Sequence, residues 1–142
     1  MRNTEKQKKI SIGVEDFKTL IDWNGYFVDK TLMIRDLIEN HAMVTLFTRP
    51  RRFGKTLNQF MIRRFFEDEI TEKGEKVDNG YLFDGLAITR CGEEILQHQQ
   101  RYPVIFMSLK SAKQDSYDMA YASLIDEISK EFKRHAYLLQ GE

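Results

Sequence analysis

The nine residues Thr48–Thr56, Thr-Arg-Pro-Arg-Arg-Phe-Gly-Lys-Thr, have the types and spacing needed to bind a phosphate group. They match the phosphate-loop pattern Gly-x4-Gly-Lys-Ser/Thr except at its first glycine, where Arg49 stands. In such a loop, backbone N–H groups surround the phosphate oxygens, and Gly54 allows their close approach. The lysine at position 55 reaches the β- and γ-phosphates, and the hydroxyl at position 56 binds Mg²⁺. The pattern therefore predicts a nucleotide-binding loop with Lys55 as its catalytic residue and Thr56 as its metal ligand.

The loop as a whole supplies the candidate cofactor-binding residues. Two of its arginines, Arg51 and Arg52, could steer an anion or could pair with acidic neighbours, and we expect one of them to steer. The alternative to a phosphate site is a solvated basic loop ahead of an ordinary helix. The candidate set consists of Arg49, Pro50, Arg51, Arg52, Phe53, Gly54, Lys55, Thr56 and Leu57.

Two elements must position this loop, a strand before it and a helix after it. Residues 43–48 are too few for a helix and are rich in β-favouring types, which predicts a buried strand. From Lys55 onward, apolar residues recur at the spacing of one helical face, namely Leu57, Phe60, Met61 and Phe65. A helix that starts there would direct the positive end of its dipole at the anion. The order of strand, loop and helix favours the phosphate site over the alternative.

The rest of the chain alternates helical and strand patterns. Val104–Met107 predicts a second buried strand, and Tyr117, Tyr121, Leu124, Ile125, Ile128 and Phe132 predict a long amphipathic helix that begins near Ser116. Such alternation indicates an α/β fold, here an incomplete parallel sheet flanked by helices. Because a nucleotide fold of this type uses about five or six strands, we expect residues 1–142 to be the amino-terminal portion of a larger domain, with residues 1–9 disordered.

Composition narrows the possible functions. Cys91 is the only cysteine, which excludes disulfides within the chain and cysteine-based zinc clusters. No apolar run approaches the roughly 20 residues of a membrane helix, and the basic amino terminus lacks the apolar segment of a signal peptide, so we expect a cytoplasmic protein without a membrane partner. Residues 1–66 carry a net charge of +6 and residues 67–142 a net charge of −6. This asymmetry is consistent with an anion site in the first half.

The loop, together with several further boxes, resembles the AAA-ATPase-like family of bacterial proteins, whose phosphate loop typically reads RPRRFGKT and also lacks the first glycine. The similarity extends from Lys9 over nearly the whole chain. The other matching boxes are Ile12–Phe17, Tyr26–Thr31, Leu82–Leu86 and Tyr102–Lys110.

The resemblance implies a P-loop NTPase core, often followed by a PD-(D/E)XK nuclease-like domain. It assigns ATP and Mg²⁺ as cofactors, with Lys55 and Thr56 in the phosphate and metal roles. The box that contains Asp29 lies near the adenine in related ATPases, although Asp29 could equally be a plain helix N-cap. The family's Walker B motif lies beyond Glu142.

Hydrolysis needs the Walker B carboxylates, and the chain offers no clear strand that ends in them. The nearest match ends in Asp126-Glu127, but its surroundings keep helical spacing, so we interpret this pair as a solvated helix face. The function predicted is ATP binding through a variant Walker A loop within a larger Mg²⁺-dependent ATPase, with this portion alone inactive.

Two other readings remain open. One is a non-catalytic remnant of such an ATPase. The other is a nucleic-acid-binding module that uses a basic patch, with nucleic acid contacted directly or through the parent protein. The patch would consist of Arg49, Arg51, Arg52, Lys55, Arg63 and Arg64.

Overall fold

Helices and 3₁₀ turns supply the regular structure of the chain in a computed structural model, which describes residues 8–50 and 52–139. The α-helices are α1 (Phe17–Asp22), α2 (Leu32–Asn40), α3 (Lys55–Phe66), α4 (Glu93–Leu96) and α5 (Tyr117–Arg134). The 3₁₀ turns span Gly80–Phe83, Ala87–Arg90, Leu109–Ala112 and Ala136–Leu139. The chain divides into two compact units: unit 1 comprises Met1–Glu67 and Asn79–Arg101, and unit 2 comprises Asp68–Asp78 and Tyr102–Glu142.

The predicted α/β fold with an incomplete parallel sheet is wrong, because the described residues contain isolated β-bridges but neither a strand nor a sheet. Residues 43–48 do not form the expected buried strand. Met43 is fully exposed, Val44 and Leu46 are more than four-fifths exposed, and the segment makes no hydrogen bond to another described residue. A strand exists only when a neighbour completes its hydrogen-bond ladder, so β-favouring composition alone does not produce one.

The helices agree better with the sequence. α3 begins at Lys55 as predicted, and its apolar face places Met61 and Phe65 in the core with no exposed surface. α5 begins immediately after Ser116, whose hydroxyl accepts a hydrogen bond from the N–H of Met119 as an N-cap. These two predictions are confirmed because helical hydrogen bonds close within the segment and need no distant partner.

The core of unit 1 is built around aromatic rings from four separate segments. The ring of Phe17 in α1 packs against those of Phe27 and Phe83, at centroid distances of 5.2 and 5.3 Å. Phe65 in α3 meets Phe83 edge-on at 5.3 Å, so Phe83 links the two helices. The buried cluster is completed by Ile34, Met61, Leu82, Ile88 and Ile95. This core anchors α3, and with it the start of the helix that follows the loop.

In unit 2, side chains of α5 bond the backbone of the second predicted strand. The N–H of Phe106 donates to Glu131 Oε2 at 3.0 Å, and that of Ser108 donates to Glu127 Oε1 at 3.4 Å. Arg134 Nη2 donates to the carbonyl oxygen of Val104 at 2.6 Å. The helix thus satisfies backbone groups that a neighbouring strand would bond in a sheet. The prediction of a strand at residues 104–107 is therefore also wrong.

The expected disorder of residues 1–9 mostly lies outside the described residues, which begin at Lys8. Lys9 itself is ordered by two backbone hydrogen bonds. Its N–H donates to the carbonyl of Asn24 at 3.1 Å, and its carbonyl accepts from the N–H of Tyr26 at 2.7 Å. These bonds form a parallel bridge between Lys9 and Gly25, so residue 9 has a defined place in the structure.

Candidate functional site

The loop before α3 turns through two left-handed residues. Arg52 has φ 67°, and Gly54 has φ 70° and ψ 24° and occupies the N-cap position of α3. Its carbonyl accepts the N–H of Asn58 at 2.9 Å, which closes the first turn of the helix. A Cβ at Gly54 would meet no atom within 4 Å, so the positive φ, rather than crowding within the chain, favours glycine here. Left-handed backbone at a residue with a side chain, as at Arg52, is uncommon and tends to occur at functional sites.

Lys55, the predicted phosphate lysine, bridges the two ends of the loop. Its Nζ donates to the carbonyl oxygen of Arg49 at 2.9 Å. This hydrogen bond joins the first helical residue to a residue six positions earlier and so encloses the loop in a ring. The ammonium group therefore lies beside the loop backbone, in the region where the phosphate-loop pattern predicts an anion.

A cavity of about 270 Å³ opens beside this ring. Its wall contains three cationic side chains, two carboxamides and four apolar side chains, and none of the described residues that line it carries a carboxylate. Residues 55, 58, 59 and 62 come from one face of α3. The lining residues are Lys30, Met33, Phe47, Arg49, Phe53, Lys55, Asn58, Gln59 and Ile62.

The three cations of this cavity have no carboxylate partner among the described residues, whereas several other cations do. Lys30, Arg49 and Lys55 form no ion pair with a carboxylate of the described residues. Elsewhere in the described residues, cations do pair with carboxylates. Lys76 pairs with Asp68, and the other paired cations include Lys18, Arg35, Arg63, Lys130 and Arg134. Three uncompensated positive charges that line one cavity favour a polyanionic ligand.

Lys30 is held between two hydrogen-bonded neighbours. Asp29 Oδ1 accepts from the N–H and the hydroxyl of Thr31, at 2.9 and 2.6 Å, and Asp29 Oδ2 accepts from the N–H of Ala87 at 2.7 Å. Thr31 Oγ1 in turn accepts from the N–H of Ile88 at 3.1 Å. Thr31, and not Asp29, occupies the N-cap position of α2. Asp29 lies two residues before the cap and accepts the N–H of Thr31. These contacts attach the start of α2 to the turn at Ala87–Arg90.

The ionisation of Asp29 reflects the same contacts. Partial burial raises the pKa of its carboxyl group, but the hydrogen bonds from the Thr31 hydroxyl, the Ala87 N–H and the Thr31 N–H outweigh that effect. The pKa of Asp29 therefore lies below its ordinary value. The carboxylate, in its charged form, holds this connection together.

The structure brings some of the predicted binding residues together and leaves others apart. Arg49, Phe53 and Lys55 line the cavity, and Gly54 sets the start of α3. Leu57 is half-buried and packs against the core of unit 1. Three further candidates do not line the cavity: Pro50 and Arg52 are exposed, and Thr56 is half-buried. The last candidate, Arg51, lies outside the described residues.

Arg63 and Arg64, which the nucleic-acid reading assigns to a basic patch, are largely buried. The side chain of Arg63 is 13% exposed and pairs through Nε with Glu67 Oε2 at 2.7 Å, while the side chain of Glu67 is 1% exposed. Arg64 is 12% exposed and lies 3.8 Å from Asp16. Both cations therefore belong to the packing of α3 rather than to an open basic face.

Sequence reasoning missed several of the residues that line the cavity. Asn58, Gln59 and Ile62 share a helical face with Lys55, so their positions could have been found from the 3.6-residue period. Lys30 and Met33 belong to a different segment, and the only sequence signal for it was the resemblance of the box Tyr26–Thr31 to one that lies near the adenine in related ATPases. Phe47 was assigned to the strand and therefore to the core, whereas it is 42% exposed.

The predicted metal ligand, Thr56, does not line the cavity. Thr56 is the second residue of α3, and its side chain forms no hydrogen bond with another described residue. In the part of the chain that the structure describes, no group of three or more His, Cys, Asp or Glu side chains could hold a metal ion. Mg²⁺ commonly keeps several waters and binds through substrate phosphates, so a single hydroxyl is compatible with it.

The candidate Walker B pair lies on α5, as the helical spacing predicted. Asp126 pairs with Lys130 at 2.6 Å on an exposed part of the helix. Glu127 accepts the N–H of Ser108. Both carboxylates therefore have structural partners within unit 2.

Comparison with protein-family models identifies the family of this chain. A model of the AAA-ATPase-like family, described as predicted AAA-ATPase, matches residues 11–140. The chain belongs to this family. The matched span contains the loop, α3 and every residue that lines the cavity, so the site described above is a feature of the AAA-ATPase-like region. Its family indicates an ATPase-type protein that uses nucleotide.

Two other comparisons gave no further relatives for the AAA-ATPase-like chain. A search of the curated proteins found no match, and a search of the solved structures found none. Among the helices of the described residues, none combines the length and the apolar character needed to cross a membrane.

Proposed function

We propose that this AAA-ATPase-like chain binds ATP with Mg²⁺ through the variant Walker A loop that ends in Gly54, Lys55 and Thr56. The observation that carries the proposal is the cavity beside the loop, where three cations without carboxylate partners converge. A polyphosphate would supply the missing negative charge. The family membership favours a nucleotide as the source of that polyphosphate.

The apolar part of the cavity favours a nucleotide over free phosphate. Phe47 and Phe53 contribute aromatic rings, and Met33 and Ile62 contribute aliphatic surface, in the same space as the cations. A nucleobase can pack against such surfaces while the phosphates remain beside the lysines. Inorganic phosphate would leave the apolar wall unused.

The proposed metal role involves only Thr56. Bound Mg²⁺ would neutralise part of the phosphate charge, and the Thr56 hydroxyl is available as one of its oxygen ligands. The proposal for residues 1–142 is binding rather than hydrolysis, because Asp126 and Glu127 are engaged within unit 2. We therefore expect negligible ATP turnover from these residues alone, with catalysis by Lys55 a property of the larger ATPase.

The nucleic-acid alternative finds less support in the structure. A phosphate-backbone patch needs several cations on one accessible surface. Two of the six arginines and lysines assigned to that patch, Arg63 and Arg64, are largely buried and lie against Glu67 and Asp16. Their burial reduces the patch to the loop cations, of which Arg49 and Lys55 line the cavity.

Titration of a fluorescent ATP analogue in the presence of Mg²⁺ tests the proposal. We expect saturable binding to the wild-type chain and at least tenfold weaker binding to Lys55→Ala, which corresponds to about 1.4 kcal/mol. The matched control is Lys73→Ala, which removes an equal charge from an exposed position in unit 2 and should leave the affinity unchanged.

Two results would contradict nucleotide binding at the loop. One is an affinity that does not change in Lys55→Ala. The other is displacement of the analogue by duplex DNA at concentrations at which unlabelled ATP has no effect, which would favour the nucleic-acid reading.

A further inference from the structure

Lys30 lines the cavity beside the loop although it lies 25 positions before Lys55 in the sequence. We infer that Lys30 is a second phosphate-binding lysine of this site, contributed by the residues that lead into α2. The inference rests on the proposed function, because it assigns a further residue to the same polyphosphate. It adds to that function a contact that the loop pattern does not contain.

The charge distribution of the cavity supports this role. The Lys30 ammonium forms no ion pair with a described carboxylate, and the part of the cavity wall that the structure describes contains no carboxylate. Lys55 already donates to the carbonyl oxygen of Arg49. A triphosphate carries more negative charge than one lysine can balance, even with Mg²⁺ bound, so a second ammonium in the same cavity has a clear electrostatic function.

The backbone around Lys30 is fixed before any ligand arrives. On one side, Asp29 accepts hydrogen bonds from Thr31 and Ala87, and on the other, Thr31 is buried and accepts from Ile88. The carbonyl of Lys30 also accepts the N–H of Met33 at 3.0 Å. Only the side chain of Lys30 remains to be ordered on binding, which lowers the entropic cost of using it.

An experiment with inorganic tripolyphosphate isolates this contact from any contact with the base. Its affinity, and that of Mg²⁺-ATP, would be measured by calorimetry for the wild type, Lys30→Met and Lys30→Arg. We expect Lys30→Met to bind both ligands about tenfold more weakly, which is about 1.4 kcal/mol, while Lys30→Arg stays within about threefold of the wild type. Methionine retains an apolar stem, so the thermal unfolding midpoint should not change.

Two matched variants distinguish a failure of the proposed function from a failure of the role assigned to Lys30. Lys73→Met controls for the loss of one positive charge at an exposed position of unit 2, and Lys55→Ala tests the proposed function itself. If tripolyphosphate does not bind the wild type, or binds Lys55→Ala equally well, the proposed function fails and this inference fails with it.

Two other results would overturn the role of Lys30 alone. In the first, Lys55→Ala weakens the binding of tripolyphosphate and Lys30→Met does not. In the second, Lys30→Met weakens the binding of ATP but not that of tripolyphosphate, which would place Lys30 against the nucleoside. Weakening of both ligands in Lys30→Met, with recovery in Lys30→Arg, would establish a charge-dependent phosphate contact.

Discussion

Replacement of Asp29 by alanine is expected to destabilise unit 1, because this carboxylate joins the start of α2 to the turn at Ala87–Arg90. It accepts hydrogen bonds from the N–H and hydroxyl of Thr31 and from the N–H of Ala87, at 2.6–2.9 Å. Thr31 has no exposed surface. Asp29→Ala would therefore leave a buried N–H without its acceptor, a change that costs about 1–3 kcal/mol.

The magnitude follows from these three contacts and from the exposure of Asp29. Hydrogen bonds to a charged acceptor contribute about 1.5–3 kcal/mol each, but water competes for a partly exposed carboxylate and reduces their net value to roughly 1 kcal/mol each. We therefore expect Asp29→Ala to lower the free energy of unfolding by about 2–3 kcal/mol near neutral pH. The free energy of unfolding of Asp29→Asn, which retains one acceptor oxygen, should lie between those of the wild type and Asp29→Ala.

The loss of stability in Asp29→Ala should depend on pH, and it should be larger near neutral pH than in acid. Burial raises the pKa of Asp29, and the hydrogen bonds from Thr31 and Ala87 lower it further than burial raises it, so its folded-state pKa lies below the ordinary value. A carboxylate of this kind contributes its stabilisation above the unfolded-state pKa of about 3.9 and loses it as the pH falls through the folded-state pKa. The difference between wild type and Asp29→Ala should be full at pH 5–7 and should narrow below about pH 4.

Urea unfolding followed by the fluorescence of Trp23, the single tryptophan of the chain, measures this difference in unit 1. The control is Asp36→Ala, which removes an exposed carboxylate that pairs with Arg35 at 2.7 Å on α2. That exposed pair should contribute less than about 1 kcal/mol. Equal effects of the two substitutions, or an Asp29→Ala effect that persists unchanged into acid, would refute the structural role assigned to Asp29.

Two further pairs of substitutions test the packing. Phe65→Ala should lower the free energy of unfolding by about 3–5 kcal/mol because its ring is fully buried, whereas Phe132→Ala, at a ring that is 68% exposed, should have a much smaller effect on urea unfolding. Equal effects would contradict the assigned core. Gly25→Ala should destabilise by about 1–3 kcal/mol because its Cβ would lie 2.9 Å from the carbonyl oxygen of Leu20. Gly13→Ala, where a Cβ meets open space and only the positive φ opposes it, should cost about 1–2 kcal/mol, and a larger loss there than at Gly25 would contradict this packing.

The sequence predicted the helices of this chain well. α3 and α5 begin at the positions that the apolar spacing and the cap residues indicated, because the hydrogen bonds and the N-cap of a helix are local. These features depend on residues within a few positions of one another.

The two strand predictions failed for the opposite reason. Residues 43–48 have suitable composition, but a strand also needs a neighbour to complete its ladder, and composition does not supply one. At residues 104–108, carboxylates and an arginine of α5 bond the backbone instead. The family resemblance placed the box Tyr26–Thr31 near the nucleotide, but Lys30 itself was not among the predicted site residues, because only tertiary structure brings its side chain to the cavity that Lys55 lines.

The hydrogen bond from Lys55 to the carbonyl of Arg49 holds the ammonium group beside the loop before any ligand arrives. Because an ammonium has three N–H donors, two remain for phosphate oxygens while this bond stays in place. In the proposed complex the lysine would therefore link the loop backbone to the phosphate without giving up an existing contact. Less side-chain entropy would then be lost when the phosphate binds.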